Sequence, residues 1–221
     1  MPERSAAVGT RAPGPSGPPT DAPADPAPTT ARGRAKAERR TALLTAAARL
    51  FAQRGYEGVS LEDLGSAVGV SGPAVYRHFP SKQAVLAALL VETSERLLAG
   101  GRAVVEASAG DGAALRGLVA FHAEFAITDP DVIRVQDRDL DALSVADRAT
   151  VRELQRTYVD AWVGVLARLG PAVDVAELRV RAQATFGLLN STPFSARGLS
   201  AARTRAVLEQ MALAALDPGR G

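Results

Sequence analysis

Residues Gly69–Lys82 read GVSGPAVYRHFPSK. Gly69 ends whatever helix precedes it. Ser71 is a natural N-cap, and Pro73 falls in the first turn, where a missing N–H costs nothing. Pro80 stops the segment, so the spacing predicts a helix barely two turns long. At about 100° per residue, Val75 and Phe79 share the buried side and Arg77 lies opposite, with Pro73 and Ala74 near it. Tyr76 takes one flank and His78 the other. Small residues at the tip allow close approach, Arg77 can donate two hydrogen bonds to a guanine edge in a major groove, and Tyr76 and His78 can donate to phosphates. Lys82, opening the next helix, adds a charge at a helix N-terminus.

The neighbouring segments extend this pattern. Leu43, Leu44, Ala47, Leu50 and Phe51 fall on one helical face, which predicts a helix over Lys36–Arg54 ended by Gly55. Ser60, with Asp63 three residues on, caps a second helix whose stripe is Leu61, Leu64 and Val68. Ser81 caps a fourth helix through Val85, Leu86, Leu89, Leu90 and Leu97. Two helices, a tight glycine turn and a short helix with a basic outer face make a helix-turn-helix pattern over about residues 36–80. Residues 31–82 carry nine Lys/Arg against four Asp/Glu, whereas residues 1–30 sum to −1 and residues 83–221 to −2. That asymmetry points to a polyanion partner.

Eight of the 14 prolines lie in residues 1–30, so residues 1–32 are expected to be a disordered tail. The expected division is then a DNA-binding domain over 33–82 and a second domain over 83–217. With 47% hydrophobic residues but 5% aromatic ones, the 221-residue chain reads as all-α. The absence of cysteine excludes disulfides, thiolate metal sites and a cysteine nucleophile. No apolar run reaches the length of a membrane span and no signal-peptide core is present, so no membrane association and a cytoplasmic location are expected.

The run LFAQRGYEGVSLEDLGSAVGVSGPAVYRHFPSKQAVLAALL resembles the N-terminal domain of TetR-family transcriptional repressors. The resemblance is carried by Phe51, Gly55, Ser60, the Gly69-Val70-Ser71 turn, Tyr76, His78, Phe79, Lys82 and Leu86. It implies an all-helical fold of about nine helices, a homodimer, a three-helix DNA-binding head and a body that binds a small effector, with no cofactor. It also implies that Ser60, Ser71, Gly72, Ala74, Tyr76, Arg77, His78 and Lys82 lie at or near a double-stranded DNA operator, and Pro73 on the same surface is assigned to it as well. A basic arm of Arg32, Arg34, Lys36, Arg39 and Arg40 would lead into the first helix and reach phosphates or the minor groove. Gly65 departs from the alanine usual in the family and is expected to soften the second helix.

Beyond Gln83 only periodicity guides the reading. Helices are expected over Ala113–Thr128, Pro130–Leu140, Val145–Leu169, Val175–Asn190 and Ser200–Leu216. Phe121, His122, Phe125, Tyr158, Trp162, Phe186 and Asn190 concentrate aromatic surface and a few polar tips, as an apolar effector pocket needs, and as an ordinary aromatic core also would. The last helix is apolar nearly all round, so Leu178, Ala182, Leu208, Met211, Ala212 and Ala215 are assigned to a two-fold interface between subunits. Asp129, Asp131, Asp137, Asp139 and Asp141 alternate with Arg134 and Arg138 and read as an ion-paired surface rather than a metal site.

A ligand-responsive repressor is the leading function. The segment FGLLNSTPFS is faintly similar to regulators of fatty-acid or sterol catabolism that sense acyl-CoA thioesters, and a multidrug or antibiotic effector is the alternative. A small α-helical enzyme with His122 and nearby carboxylates as acid and base is a reading from another class, and a helical dimer with a protein partner is a third. No nucleophile–base spacing, phosphate loop or metal set supports catalysis.

Overall fold

The computed structural model describes residues 30–195 and 198–217. The expected disordered tail lies outside the described residues up to residue 29. Its last three residues do not belong to it. Thr30 accepts a hydrogen bond from Gly33 N (3.1 Å) and caps helix α1, Ala31–Arg54. The helix therefore begins five residues before the expected Lys36, and Arg32, Arg34, Lys36, Arg39 and Arg40 sit on a helix rather than a loose arm. The run ARGRAKAERR has strong helix formers but no apolar period, so periodicity detects the helix only where its buried face starts, at Leu43.

Helix α2, Leu61–Ala67, begins with a complete capping box: Asp63 N donates to the Ser60 hydroxyl and Ser60 N to the Asp63 carboxylate. Gly69, at φ +69°, turns the chain into α3, Gly72–Tyr76. Gly65, expected to soften α2, stands where the turn approaches closely. A Cβ there would lie 2.7 Å from Val70 O and 3.0 Å from Val75, and Val70 N donates to Gly65 O. The missing side chain is what lets α2 and the turn into α3 close on each other.

Helix α4, Lys82–Ala107, is followed by α5 (Asp111–Thr128), α6 (Pro130–Asp139), a 3-10 turn (Leu140–Ala142), α7 (Val145–Leu169), α8 (Val175–Leu189), α9 (Thr192–Ser195) and α10 (Ala201–Leu216). The described residues contain no strand, and none of their helices is long and apolar enough to cross a membrane. Two cores share these helices. The head core joins Leu43, Phe51, Leu64, Val75, Phe79, Leu86 and Leu90, and it takes in Val132 and Val135 of α6 and Val151 of α7. The body core joins Leu118, Trp162, Leu166, Leu178, Ala182, Leu189, Leu208 and Ala212. The division expected at residue 82 therefore does not cut the packing: α4 enters both cores, and α6 from the second half of the chain completes the first.

Candidate functional site

On α3 and the turn that follows it, Val75 and Phe79 are buried, while Tyr76 and Arg77 are exposed. Ser71 and Pro73 are exposed beside them and Gly72 is half-buried. His78 is half-buried with no partner for its Nδ1. Its basicity is lowered first by burial and then by Lys36, Arg39, Arg77 and Arg40. That field places the α1 cations and Arg77, at the end of α3, around one ring, so the two expected basic elements form one surface. Arg40 is held inward by Glu92 of α4 and covers the Phe79 ring at 5.1 Å.

Three expected DNA residues sit differently. Ala74 is buried, on the side of α3 that packs against the head, and its place is a packing one. Ser60 commits its N–H and hydroxyl to Asp63. Lys82 Nζ donates to Tyr56 O (2.9 Å), lies 4.3 Å from the Tyr56 ring centroid and pairs with Glu57. It ties α4 to the loop before α2, a role that no sequence spacing announced.

The structure brings six of the seven expected effector residues together, with Phe121 beside them against α4. His122 of α5 packs against Phe125, Tyr158, Trp162 and Phe186, with ring centroids 4.8–6.2 Å apart. His122 Nε2 meets Asn190 Oδ1 at 3.0 Å, and Tyr158 OH meets His122 Nδ1 at 3.5 Å. With Asn190 as acceptor, Nε2 carries the imidazole proton and Nδ1 faces the phenol. Burial lowers the His122 pKa to about 4, against a smaller raising effect of Asn190, so the ring is neutral at physiological pH. Burial also raises the Tyr158 phenol, and the Trp162 indole offsets part of that. Trp162 Nε1 approaches Tyr158 without reaching hydrogen-bonding geometry and has no partner. Trp162 is fully buried, while Phe121, Phe125 and Phe186 are half-buried around the cluster. Phe121 packs onto the backbone of Gly100, and Tyr158 onto that of Gly101. A groove of about 1110 Å³ opens elsewhere, between head and body, along Leu44, Leu89 and Val132.

Of the expected interface residues, Leu178, Ala182, Leu208 and Ala212 are buried within the chain, because α8 and α10 pack on each other and on the body. Met211 and Ala215 are exposed, and on α8 the outward positions are Val180, Gln183, Ala184 and Gly187. The apolar perimeter is real, but its inner half is already covered by the chain itself. The alternating Asp residues are also resolved: Asp129 pairs with Arg96, Asp139 with Arg138 and Asp141 with Arg148, and no group able to hold a metal occurs among the described residues.

Sequence reasoning missed the role of α6. Arg138 donates to Phe51 O and Ala52 O at the end of α1, and Arg134 donates to Pro193 O (2.9 Å) with its guanidinium 5.7 Å from the Phe194 ring centroid. Thr192 donates to Ala126 O. One short helix thus holds the head at one end and the corner just beyond Asn190 at the other.

Residues 43–89 match the bacterial regulatory proteins of the tetR family, and residues 108–216 the tetracyclin repressor-like C-terminal domain. The HTH-type transcriptional repressor KstR2 of Rhodococcus jostii is 30% identical over 132 residues, covering 59% of this chain and 65% of that protein. The HTH-type transcriptional regulator CymR of Pseudomonas putida is 31% identical over 140 residues, covering 61% and 68%. The matched part thus spans just under two thirds of the KstR2 relative. Among solved structures, a TetR-family regulator from Bordetella parapertussis superposes with a TM-score of 0.73 at 27% identity, covering 80% of this chain and 94% of that one. AibR, solved with isovaleryl coenzyme A and operator DNA, shares the fold at a TM-score of 0.65 and 21% identity, over 78% and 97%.

Proposed function

The chain belongs to the TetR family of bacterial regulatory proteins, which are DNA-binding transcriptional regulators and not enzymes, and from that premise we propose that it is a homodimeric, cytoplasmic repressor released from a palindromic operator by a small, mainly apolar effector. The observation that carries the DNA reading is the convergence of Tyr76 of α3, and Arg77 and His78 just beyond it, with Lys36 and Arg39 of α1 on one exposed basic face. Arg77 reads a base edge, and the α1 cations and His78 hold phosphates. Repression is supported by the KstR2 relative, which is a repressor. An acyl-CoA or related lipid metabolite is supported by AibR's isovaleryl coenzyme A and by the aromatic, charge-free cluster around His122.

Dimerisation is assigned to the outward faces of α8 and α10, where Val180, Ala184, Gly187, Met211 and Ala215 offer apolar and small surface. Two heads linked in this way engage two half-sites about one DNA turn apart. Coupling runs through α4, common to both cores, and through α6 with its Arg134 and Arg138 clamps. Selection of the intact protein on random duplexes, followed by footprinting, tests the reading. An inverted repeat with two protected major grooves is expected. Equal retention of all duplexes would overturn it.

A further inference from the structure

Two nitrogens in the body meet no acceptor. Trp162 Nε1 and Gln155 Nε2 are both buried and unpartnered. The residues lie seven apart on α7, hence on one face and about 10 Å apart along the axis. Tyr158 stands between them on the same stripe and is the α7 end of the Tyr158–His122–Asn190 chain. A buried donor without an acceptor is destabilising, and most such groups in proteins are satisfied. Two of them on one stripe, flanking a satisfied polar chain, mark places where an acceptor belongs. The acceptor is not a carboxylate of the protein. Asp160 of α7 pairs outward with Arg179, Glu153 with Arg156, Glu124 of α5 with Arg205, and Glu177 of α8 with Arg181. The cluster itself contains aromatic rings, a histidine and an amide, and no charged side chain that could balance an ionic ligand end.

We propose that the ligand portion entering the body is uncharged and apolar and carries hydrogen-bond-accepting oxygens, one received by Trp162 Nε1 and, in a long enough ligand, a second by Gln155 Nε2. The proposal rests on the effector reading above and narrows it. A carboxylate or ammonium end is refused because burying it without a counter-charge is prohibitive. Any charged remainder stays outside, where Arg96 lies 6.0 Å from the Phe125 ring centroid at the rim. Phe121, Phe125 and Phe186, half-buried, are the rings that must shift to admit it.

The test uses the intact protein and four linear probes of one chain length: a methyl ketone, the diketone with a carbonyl beside each terminal methyl, the carboxylate and the primary amine. Binding is followed by calorimetry, and by Trp162 emission where that residue is kept. Both ketones should bind, and the carboxylate and amine should bind at least about tenfold more weakly. Gln155→Leu should lower diketone affinity by roughly fivefold and leave the monoketone unchanged, and Trp162→Phe should lower both. A carboxylate or amine that binds as well as the monoketone overturns the ligand class while leaving the effector site standing. Ketone affinities unchanged in both variants overturn the donor assignment. Failure of all four probes to bind counts against the effector site itself.

Discussion

His122 has the environment with the sharpest consequence for a single residue. Its pKa is about 4 in the folded protein, against about 6.5 for an ordinary histidine. Between those values the unfolded chain holds a proton that the folded one does not, so stability falls as pH drops through the window. The loss attributable to this ring is about 1.5 kcal/mol between pH 6.5 and pH 5. Urea midpoints at the two pH values measure it, and His122→Gln should flatten the dependence; an unchanged slope in the variant would assign the acid sensitivity to other groups. His78 carries the opposite message for binding. Burial and the cations around it lower its basicity, and bound phosphate favours the charged form, so operator affinity should rise as pH falls through the histidine range. Arg77→Ala should cost roughly 1–3 kcal/mol and relax preference at one base position per half-site. Lys82→Ala should instead weaken every duplex alike and also lower the melting temperature, because Lys82 ties α4 to Tyr56. A sequence-specific loss at Lys82 would reverse the two assignments.

At the scale of elements, α8 and α10 each present an inner and an outer face. Val180→Arg and Met211→Arg, both on exposed positions, should shift a dimer toward monomer in sedimentation with helicity retained. Ala212→Arg should unfold the body, since Ala212 has no exposure and an unpaired guanidinium there is costly. If the two outer variants sediment as the parent does, the interface lies elsewhere. The helices themselves were legible from sequence because caps and apolar spacing are local: Ser60, Ser81 and Gly55 mark ends, and the range expected for α7, Val145–Leu169, is the one observed. The buried aromatic set was legible as composition on α5, α7 and α8, and the fold brought it together. Three things were not. The first turns of α1 have propensity without a period. Burial of Ala74, Leu178 and Ala212 depends on which helix covers each face. The Arg134 and Arg138 clamps end on backbone carbonyls, which carry no residue signature.

For the whole molecule, an effector can release DNA only by binding one arrangement of the heads better than another, and DNA must then weaken the effector by the same factor. Arg138→Gln removes the α6 hold on Phe51 O and Ala52 O. The variant should bind effector with normal affinity, read by Trp162 emission, while the typical coupling of about 1–3 kcal/mol shrinks. Full coupling in the variant would leave α4 as the sole connection. The form of α4 sets how small the motion can be. It is one unbroken helix from Lys82 to Ala107, and Tyr158 packs onto its backbone at Gly101, inside the body. The arm from Gly101 to Lys82 is about 28 Å at 1.5 Å per residue. A tilt of about 7° about that point carries the head end through about 3.4 Å, the rise of one base pair, and two subunits tilting in opposite senses double it. The gearing is therefore steep: a displacement of about 0.7 Å over one helical turn beside the Tyr158 ring is enough to put two half-sites out of step.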